Sequence, residues 1–374
     1  MLLRSAWYGL AISIAILNMT EAKGLAEEVS TGPASYESLY EQLSALSVDP
    51  SRVAQVSDFS FQRDVGHFYL KEGTLYLLTR VDGRTIGAIY FGEGTFSCTP
   101  PTQIERDQLV RYYNTPTLTS EFTVLFLLFG DQSLQEFQQN LTFQPGQIRH
   151  SGAQTYVQDS MDFIIDSRGR QISTNFAKTL LEHQFNGQFY AHFGTKYWGS
   201  QSIKAPIFFQ IDPYASEEVS ILMGPKMNLN RSGSKSQEVI SQFHRREDYL
   251  RGEELTPGFF EFLRPTNYKI NSHIAENLDF SAEAVVDFTS LSPEQRWIYF
   301  EIYEEMVVDS VMWNGQKMPF FKERYNPMLW IECVPKLLEL ERRTLRIYYH
   351  GRLIRRAGYN LDRKILSIQS AIGW

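Results

Sequence analysis

Between residues 58 and 250, apolar residues come in short blocks separated by turn-forming pairs, the pattern of antiparallel strands rather than of long helices. Phe68 to Leu70, Thr74 to Arg80 and Thr85 to Phe91 are rich in Tyr, Leu, Ile and Phe, and Glu72-Gly73 and Asp82-Gly83 between them predict tight hairpin turns. Phe122 to Phe129 is apolar on both faces, which places it centrally in a sheet. Further strands are predicted at Tyr156 to Ile165, Gln188 to Phe193, Ile207 to Ile211 and Val219 to Met223. Helical spacing recurs over Tyr36 to Leu46, Gln103 to Tyr113, Asp131 to Gln139 and Asn175 to Phe185.

The charged stretch Gln237 to Gly258, ending in Pro257-Gly258, predicts a boundary or exposed connection. Beyond Pro265, strands are predicted at Tyr268 to Ile274, Leu278 to Thr289, Arg296 to Ile302, Val307 to Trp313, Met328 to Val334 and Leu345 to Tyr349, with Asn314-Gly315 as a hairpin turn. Short strands at such intervals predict an antiparallel sandwich. Alternation puts Ile298, Phe300 and Ile302 on one side of a strand and Trp297, Tyr299 and Glu301 on the other. The first side is core; the second is either ordinary sheet packing or a contact with a neighbouring domain.

The chain therefore reads as mainly β: a β-rich domain with a few short helices over 50–256, then an antiparallel β-sandwich over 262–374. Ahead of them, Arg4 and the apolar stretch Ala6 to Leu17, followed by Thr20-Glu21-Ala22, predict an export signal over 1–22 and a secreted or periplasmic location. Residues 23–49 read as a flexible stretch and a short helix. No other apolar run approaches the length of a membrane span, so no stable span is expected.

Composition narrows the chemistry. The net charge of −7 and the absence of any run of five Lys or Arg remove the footprint of a nucleic-acid binder. Cys98 and Cys333 each sit in an apolar strand-like segment and read as small buried hydrophobes rather than a disulfide. Phe91-Gly92-Glu93-Gly94-Thr95-Phe96 lacks the Gly-Lys-Ser/Thr ending and the third glycine of a phosphate cradle, so a bend or bulge is the better reading. Glu182-His183 with His192, and Glu304-Glu305 with Asp309, are the groupings that suggest a ligand set or a carboxylate pair, and their spacing favours separate surface or hydrogen-bonded roles. No Gly-x-Ser-x-Gly elbow occurs. Asn140-Leu141-Thr142 and Asn230-Arg231-Ser232 fit the glycosylation pattern, which matters only in a glycosylating cell.

From Tyr268-Lys269-Ile270 through Leu278-Asp279-Phe280-Ser281-Ala282-Glu283-Ala284, Val307 to Val311, Asn314-Gly315, Leu329-Trp330-Ile331 and Thr344 to Gly351, the order of strands resembles the N-terminal β-sandwich of the alanyl-aminopeptidase (aminopeptidase N) family of zinc metallopeptidases. Val81 to Phe96 and Pro100 to Glu105 are similar to an N-terminal extension on some bacterial members. That family holds zinc with His-Glu-x-x-His, in which two imidazoles one helical turn apart face the metal and the Glu acts as base. Here none of the seven histidines (His67, His150, His183, His192, His244, His273, His350) precedes a Glu, and no two are four apart. The family's Gly-Ala-Met-Glu-Asn segment is also missing. The resemblance thus implies a non-catalytic N-terminal portion with no catalytic, cofactor-binding or metal residues of its own, zinc belonging to a catalytic domain supplied downstream or as a separate chain. The other reading is a free-standing extracellular sandwich that binds a peptide or surface polymer.

Overall fold

The computed structural model describes residues 36–165, 170–183, 187–194, 206–215, 217–224, 238–251, 262–277, 279–292, 294–322 and 327–351. The expected export signal, the stretch up to residue 35, Asn230, Pro257-Gly258 and the segment after Gly351 lie outside these residues. Ala34–Trp374 form one compact unit, to which all described residues belong.

The chain is mainly β, with antiparallel sheets throughout. Eight strands, β1 (Val48–Arg63), β2 (Gly66–Leu78), β3 (Gly87–Cys98), β4 (Leu118–Phe129), β5 (Phe189–Gly194), β6 (Ile207–Ile211), β7 (Val219–Met223) and β8 (Glu238–Phe243), pair in sequence order as a meander. Asp82 and Gly83 both have positive φ, 48° and 72°, as a type I′ turn demands, so the predicted turn stands there. Glu72-Gly73 is not a turn. β2 runs through it, with Gly73 opposite Gly92 of β3 and the register slipping between Leu70 and Glu72. A Cβ on Gly73 would sit 2.3 Å from the Phe91 carbonyl oxygen, so the glycine serves close backbone approach rather than chain reversal.

The meander is strongly curled. Neighbouring strands lie about 4.8 Å apart, so side chains four strands apart would be about 19 Å distant in a flat sheet. Yet the ring centroids of Phe68 on β2 and Phe209 on β6 are 6.0 Å apart, and those of Phe61 on β1 and Phe189 on β5 are 6.4 Å apart. The concave face is filled by these phenylalanines with Phe96, Phe122 and Phe193. Leu109 of α2 (Gln103–Tyr113) and Phe137 of α3 (Ser133–Asn140) close it. Buried Arg63 pins the start of α3 through Asp131 at 2.6 Å and Glu136 at 2.7 Å.

The convex face is covered by α1 (Tyr36–Ser44), α4 (Ala153–Ile165) and α5 (Arg170–Leu181). Here the sequence reading of Tyr156 to Ile165 as a strand is corrected: the segment is the body of α4. Tyr156, Val157, Ser160, Met161 and Ile164 are its buried positions, a helical spacing that the Tyr, Val, Phe and Ile content disguised. Two other expectations change. Val48–Arg63 is a 16-residue strand that the sequence reading did not separate, and Glu238–Phe243, inside the presumed connection, is the last strand of the meander. It is followed by α6 (Arg246–Arg251).

The sandwich consists of β9 (Leu263–Ile274), β10 (Phe280–Ser290), β11 (Gln295–Glu301), β12 (Val307–Trp313), β13 (Gln316–Met318), β14 (Phe320–Lys322), β15 (Met328–Leu337) and β16 (Arg342–Gly351). A five-stranded sheet, β13-β12-β16-β10-β9, faces a three-stranded one, β11-β15-β14. Asn314 and Gly315, with φ of 49° and 78°, make the predicted I′ turn. Val286, Phe288, Ile298, Leu329, Ile331 and Tyr349 lie in the core between the sheets.

Candidate functional site

The three-stranded sheet is apolar on both sides, and this sets the arrangement of the two halves. Ile298, Leu329 and Ile331 enter the sandwich core, whereas Trp297, Met328 and Trp330 enter the core under the helices, with Tyr299 packed against it. The aromatic face of Trp297 and Tyr299 is therefore a joint with the meander half.

At that joint lies a buried ion pair. Lys178 and Glu182, one helical turn apart, have side chains 3% and 8% exposed, and their charged atoms are 3.3 Å apart. Lys178 Nζ donates to the Trp297 carbonyl at 2.7 Å and sits 4.6 Å above the Phe262 ring. The Glu182 carboxylate accepts the backbone N–H groups of Arg296 and Trp297 at 2.9 and 2.7 Å. The β11–β15 register slips between Gln295 and Trp297, so the carboxylate satisfies donors where the ladder is irregular. Burial holds the Lys178 ammonium below its ordinary pKa, with Glu182 opposing that shift. Nearby, Asp212 accepts from Asn175 Nδ2 at 2.6 Å and from the Tyr214 N–H at 3.0 Å, and burial raises its pKa. This constellation fastens two bodies together; its polar groups are engaged with one another and with backbone.

The sequence groupings do not converge. Glu182 faces the joint, His183 meets Arg84 at 2.7 Å, and His192 lies under α4. Asp309 pairs with His350 at 2.8 Å across β12 and β16, while Glu304 and Glu305 occupy the turn before β12. His244 meets Glu218 at 3.0 Å, His150 stacks on Phe91, and His67 and His273 are exposed on β2 and β9. Among the described residues no set of three His, Cys, Asp or Glu side chains is placed to hold a metal ion, so they do not fit the zinc that the family resemblance brings to mind. Cys98 and Cys333 are free, buried thiols in different cores, both pushed up by burial. No described helix is long and apolar enough to cross a membrane.

His192 titrates in an unusual way. Its ring stacks on Phe208 at 4.4 Å and Tyr156 at 5.4 Å and meets Ser160 Oγ at 3.0 Å, and burial lowers its pKa to about 3. An unfolded histidine titrates near 6.5, so below that pH the unfolded chain takes up a proton that the folded one refuses. Stability is thus expected to fall with decreasing pH, by about 1.4 kcal/mol per unit between pH 6 and 4 from this group alone. Urea titrations of the wild type and His192→Gln across that range test it: the variant should show the shallower slope, and equal slopes would refute the assignment.

Among the described residues, β9 is a long strand edge of the sandwich with no further strand beside it, at the end of the five-stranded sheet. Only three strands cover five, and every β9 residue after Leu263 is exposed. Tyr268, Ile270 and Ile274 are 55, 39 and 38% exposed although they stand opposite the buried Val286, Ala284 and Phe280 of β10 on the core side. On the outer side Asn267, Lys269, Asn271 and His273 alternate with them. The carboxylates beside that outer side are engaged within the sheet. Glu283 takes Arg346 at 2.8 Å and Tyr348 at 3.1 Å, and Asp287 takes Thr344 at 2.6 Å and Asn267 at 3.0 Å. Sequence reasoning found the strand and missed its position, because alternation looks the same on an edge as in the middle of a sheet.

No protein family and no curated protein matches the chain. Among solved structures, it is similar to an M1 zinc metallopeptidase from Deinococcus radiodurans, at 16% identity over 24% of this chain and 20% of that one, with a TM-score of 0.22. A mutant of that enzyme bound to a Tyr-Ser-Ala substrate gives 17% identity over 26% and 22%, and a two-domain M1 zinc metallopeptidase mutant bound to L-arginine 18% over 27% and 22%, each with a TM-score of 0.22. This chain covers about a fifth of the length of these structures.

Proposed function

We propose that this chain is the non-catalytic, partner-holding portion of a secreted zinc aminopeptidase, with peptide hydrolysis performed by a catalytic domain that follows in the same polypeptide or is a separate chain. The observation that carries the reading is a two-part β body, locked by the Lys178–Glu182 joint, whose sandwich has, among the described residues, one long strand edge and an apolar flank open. Such a body suits holding another domain, since its polar joint is spent on rigidity. The resemblance of the strand order from Tyr268 to Gly351 supports the peptidase connection, and because the 374 residues lack His-Glu-x-x-His, this reading gives the zinc chemistry to the partner. The open flank equally favours the second reading, an extracellular module that binds a peptide.

Purification from the cell that makes the protein separates the two. Chelator-sensitive aminopeptidase activity is expected to co-purify with this chain, and the recombinant 374 residues supplied with zinc are expected to show none. Zinc-dependent turnover by the recombinant chain would overturn the non-catalytic assignment. Native material without associated peptidase would overturn the partner assignment in favour of the second reading.

A further inference from the structure

We propose that His273 and His350 form a two-imidazole site for a divalent ion of the copper, nickel and zinc class on the outer face of the five-stranded sheet. The proposal goes beyond the partner-holding reading and does not rest on it. With two protein ligands the site falls short of the three that a hydrolytic zinc takes, so it binds an ion without hydrolytic chemistry, water filling the remaining positions.

Sheet register sets the two rings on either side of one small residue. Ser281 of β10 is paired with His350 of β16 on one side and with His273 of β9 on the other. Cross-strand partners share a face, and these three residues are exposed while the adjoining Ala282 and Tyr349 are buried, so all three stand on the outer face. Strands two apart lie about 10 Å from each other, a gap that two imidazoles leaning inward close with metal–nitrogen bonds of about 2.0–2.1 Å each. Serine leaves the space above β10 open, where a bulky side chain would fill it. Among the described residues, neither the Ser281 hydroxyl nor the His273 ring is engaged in a side-chain hydrogen bond or ion pair.

His350 is already prepared as a ligand. The β12–β16 register slips between Val308 and Ser310, and the residue inserted there, Asp309, comes within 2.8 Å of His350 Nδ1. A carboxylate only accepts, so Nδ1 carries the proton and Nε2 of the neutral ring keeps its lone pair. The two nitrogens of an imidazole point to nearly opposite sides of the ring, so Nε2 faces away from β12. Such a carboxylate–histidine pair fixes the tautomer and raises the basicity of a ligating imidazole. Imidazole nitrogen suits copper, nickel and zinc, whereas Mg2+ and Ca2+ take oxygen. Asp309, His350 and Ser281 also stand in the order of a nucleophile triad. The Ser281 hydroxyl does not bond His350, however, and the N–H groups of β10 and β16 are spent on strand pairing, which leaves no donors there for an oxyanion.

Titration of the full chain with Cu2+, Ni2+, Zn2+ or Mg2+ near neutral pH, followed by calorimetry, tests the site. Cu2+ should bind most tightly and Mg2+ not at all. His273→Gln and His350→Gln, both exposed changes, should each weaken Cu2+ binding by at least the roughly tenfold that loss of a ligand-supporting group costs. Asp309→Ala should cost about tenfold as well and move the His350 ring from the Nδ1–H toward the Nε2–H tautomer in nitrogen-edited spectra, a change that a purely structural role would not produce. His67→Gln, an exposed histidine on β2, is the control and should leave the affinity unchanged. Binding weaker than about 1 mM for every ion, unchanged affinity in either the His273 or the His350 variant, or a loss with His67→Gln would each overturn the site. A His350 ring that keeps its tautomer in Asp309→Ala would overturn the positioning role of Asp309. The ion alone is the probe, so failure here leaves the co-purification of peptidase activity unaffected.

Discussion

Glu182→Ala is expected to lower stability by about 3 to 5 kcal/mol, the loss typical when one partner of a buried ion pair is removed. The change strands the Lys178 ammonium, 3% exposed, beside the Trp297 carbonyl and Phe262 ring without its counter-charge. It also leaves the N–H groups of Arg296 and Trp297 without their acceptor. Glu182→Gln keeps an acceptor oxygen for those donors while losing the charge, so it should fall between wild type and alanine. Urea unfolding gives the stabilities, and hydrogen exchange in β11 should rise in the same order. A loss below about 1 kcal/mol for the alanine variant would show that the joint is held by apolar packing alone.

Phe68→Ala should cost a similar amount, about 3 to 5 kcal/mol, through the cavity it leaves. The ring is 1% exposed and lies within 6.1 Å of Phe61, Phe96, Phe189, Phe193 and Phe209, which come from strands on both limbs of the curled sheet. Such a site collapses poorly, because closing the gap requires both limbs to move. The neighbouring Tyr69, 40% exposed and bonded to Asp58, is the control: Tyr69→Phe should change stability by no more than about 0.5 kcal/mol. Comparable losses at the two positions would contradict a curl held by its aromatic interior.

These two positions also mark how far the sequence could be read. The alternation around Phe68 and Tyr69 already says that one faces inward and the other outward. It does not say that Phe68 meets Phe209, because the curl that joins them is a sum of twists and bulges along eight strands. For Glu182 beside His183, the sequence spacing favours a separate surface or hydrogen-bonded role over a ligand set, and names no partner. Its role became visible only when β11, more than a hundred residues later, presented two amides to it. The strand reading of Tyr156 to Ile165 failed for a related cause: β-rich composition outweighed a helical burial pattern that only its neighbours α1 and α5 reveal.

By itself, the sequence determined what local chemistry controls. It marked the mainly β character, the positions of most strands after Pro265, the Asp82-Gly83 and Asn314-Gly315 turns whose φ values only such residues accept readily, and the lack of a His-Glu-x-x-His pair. Tertiary structure decided which element covers each apolar face: Trp297 and Tyr299 against the helices, Phe68 inside the curl, and Tyr268, Ile270 and Ile274 with nothing over them among the described residues. Periodicity tells two faces of a strand apart, but the burial of either is set by surfaces distant in sequence, and no local pattern encodes their arrival.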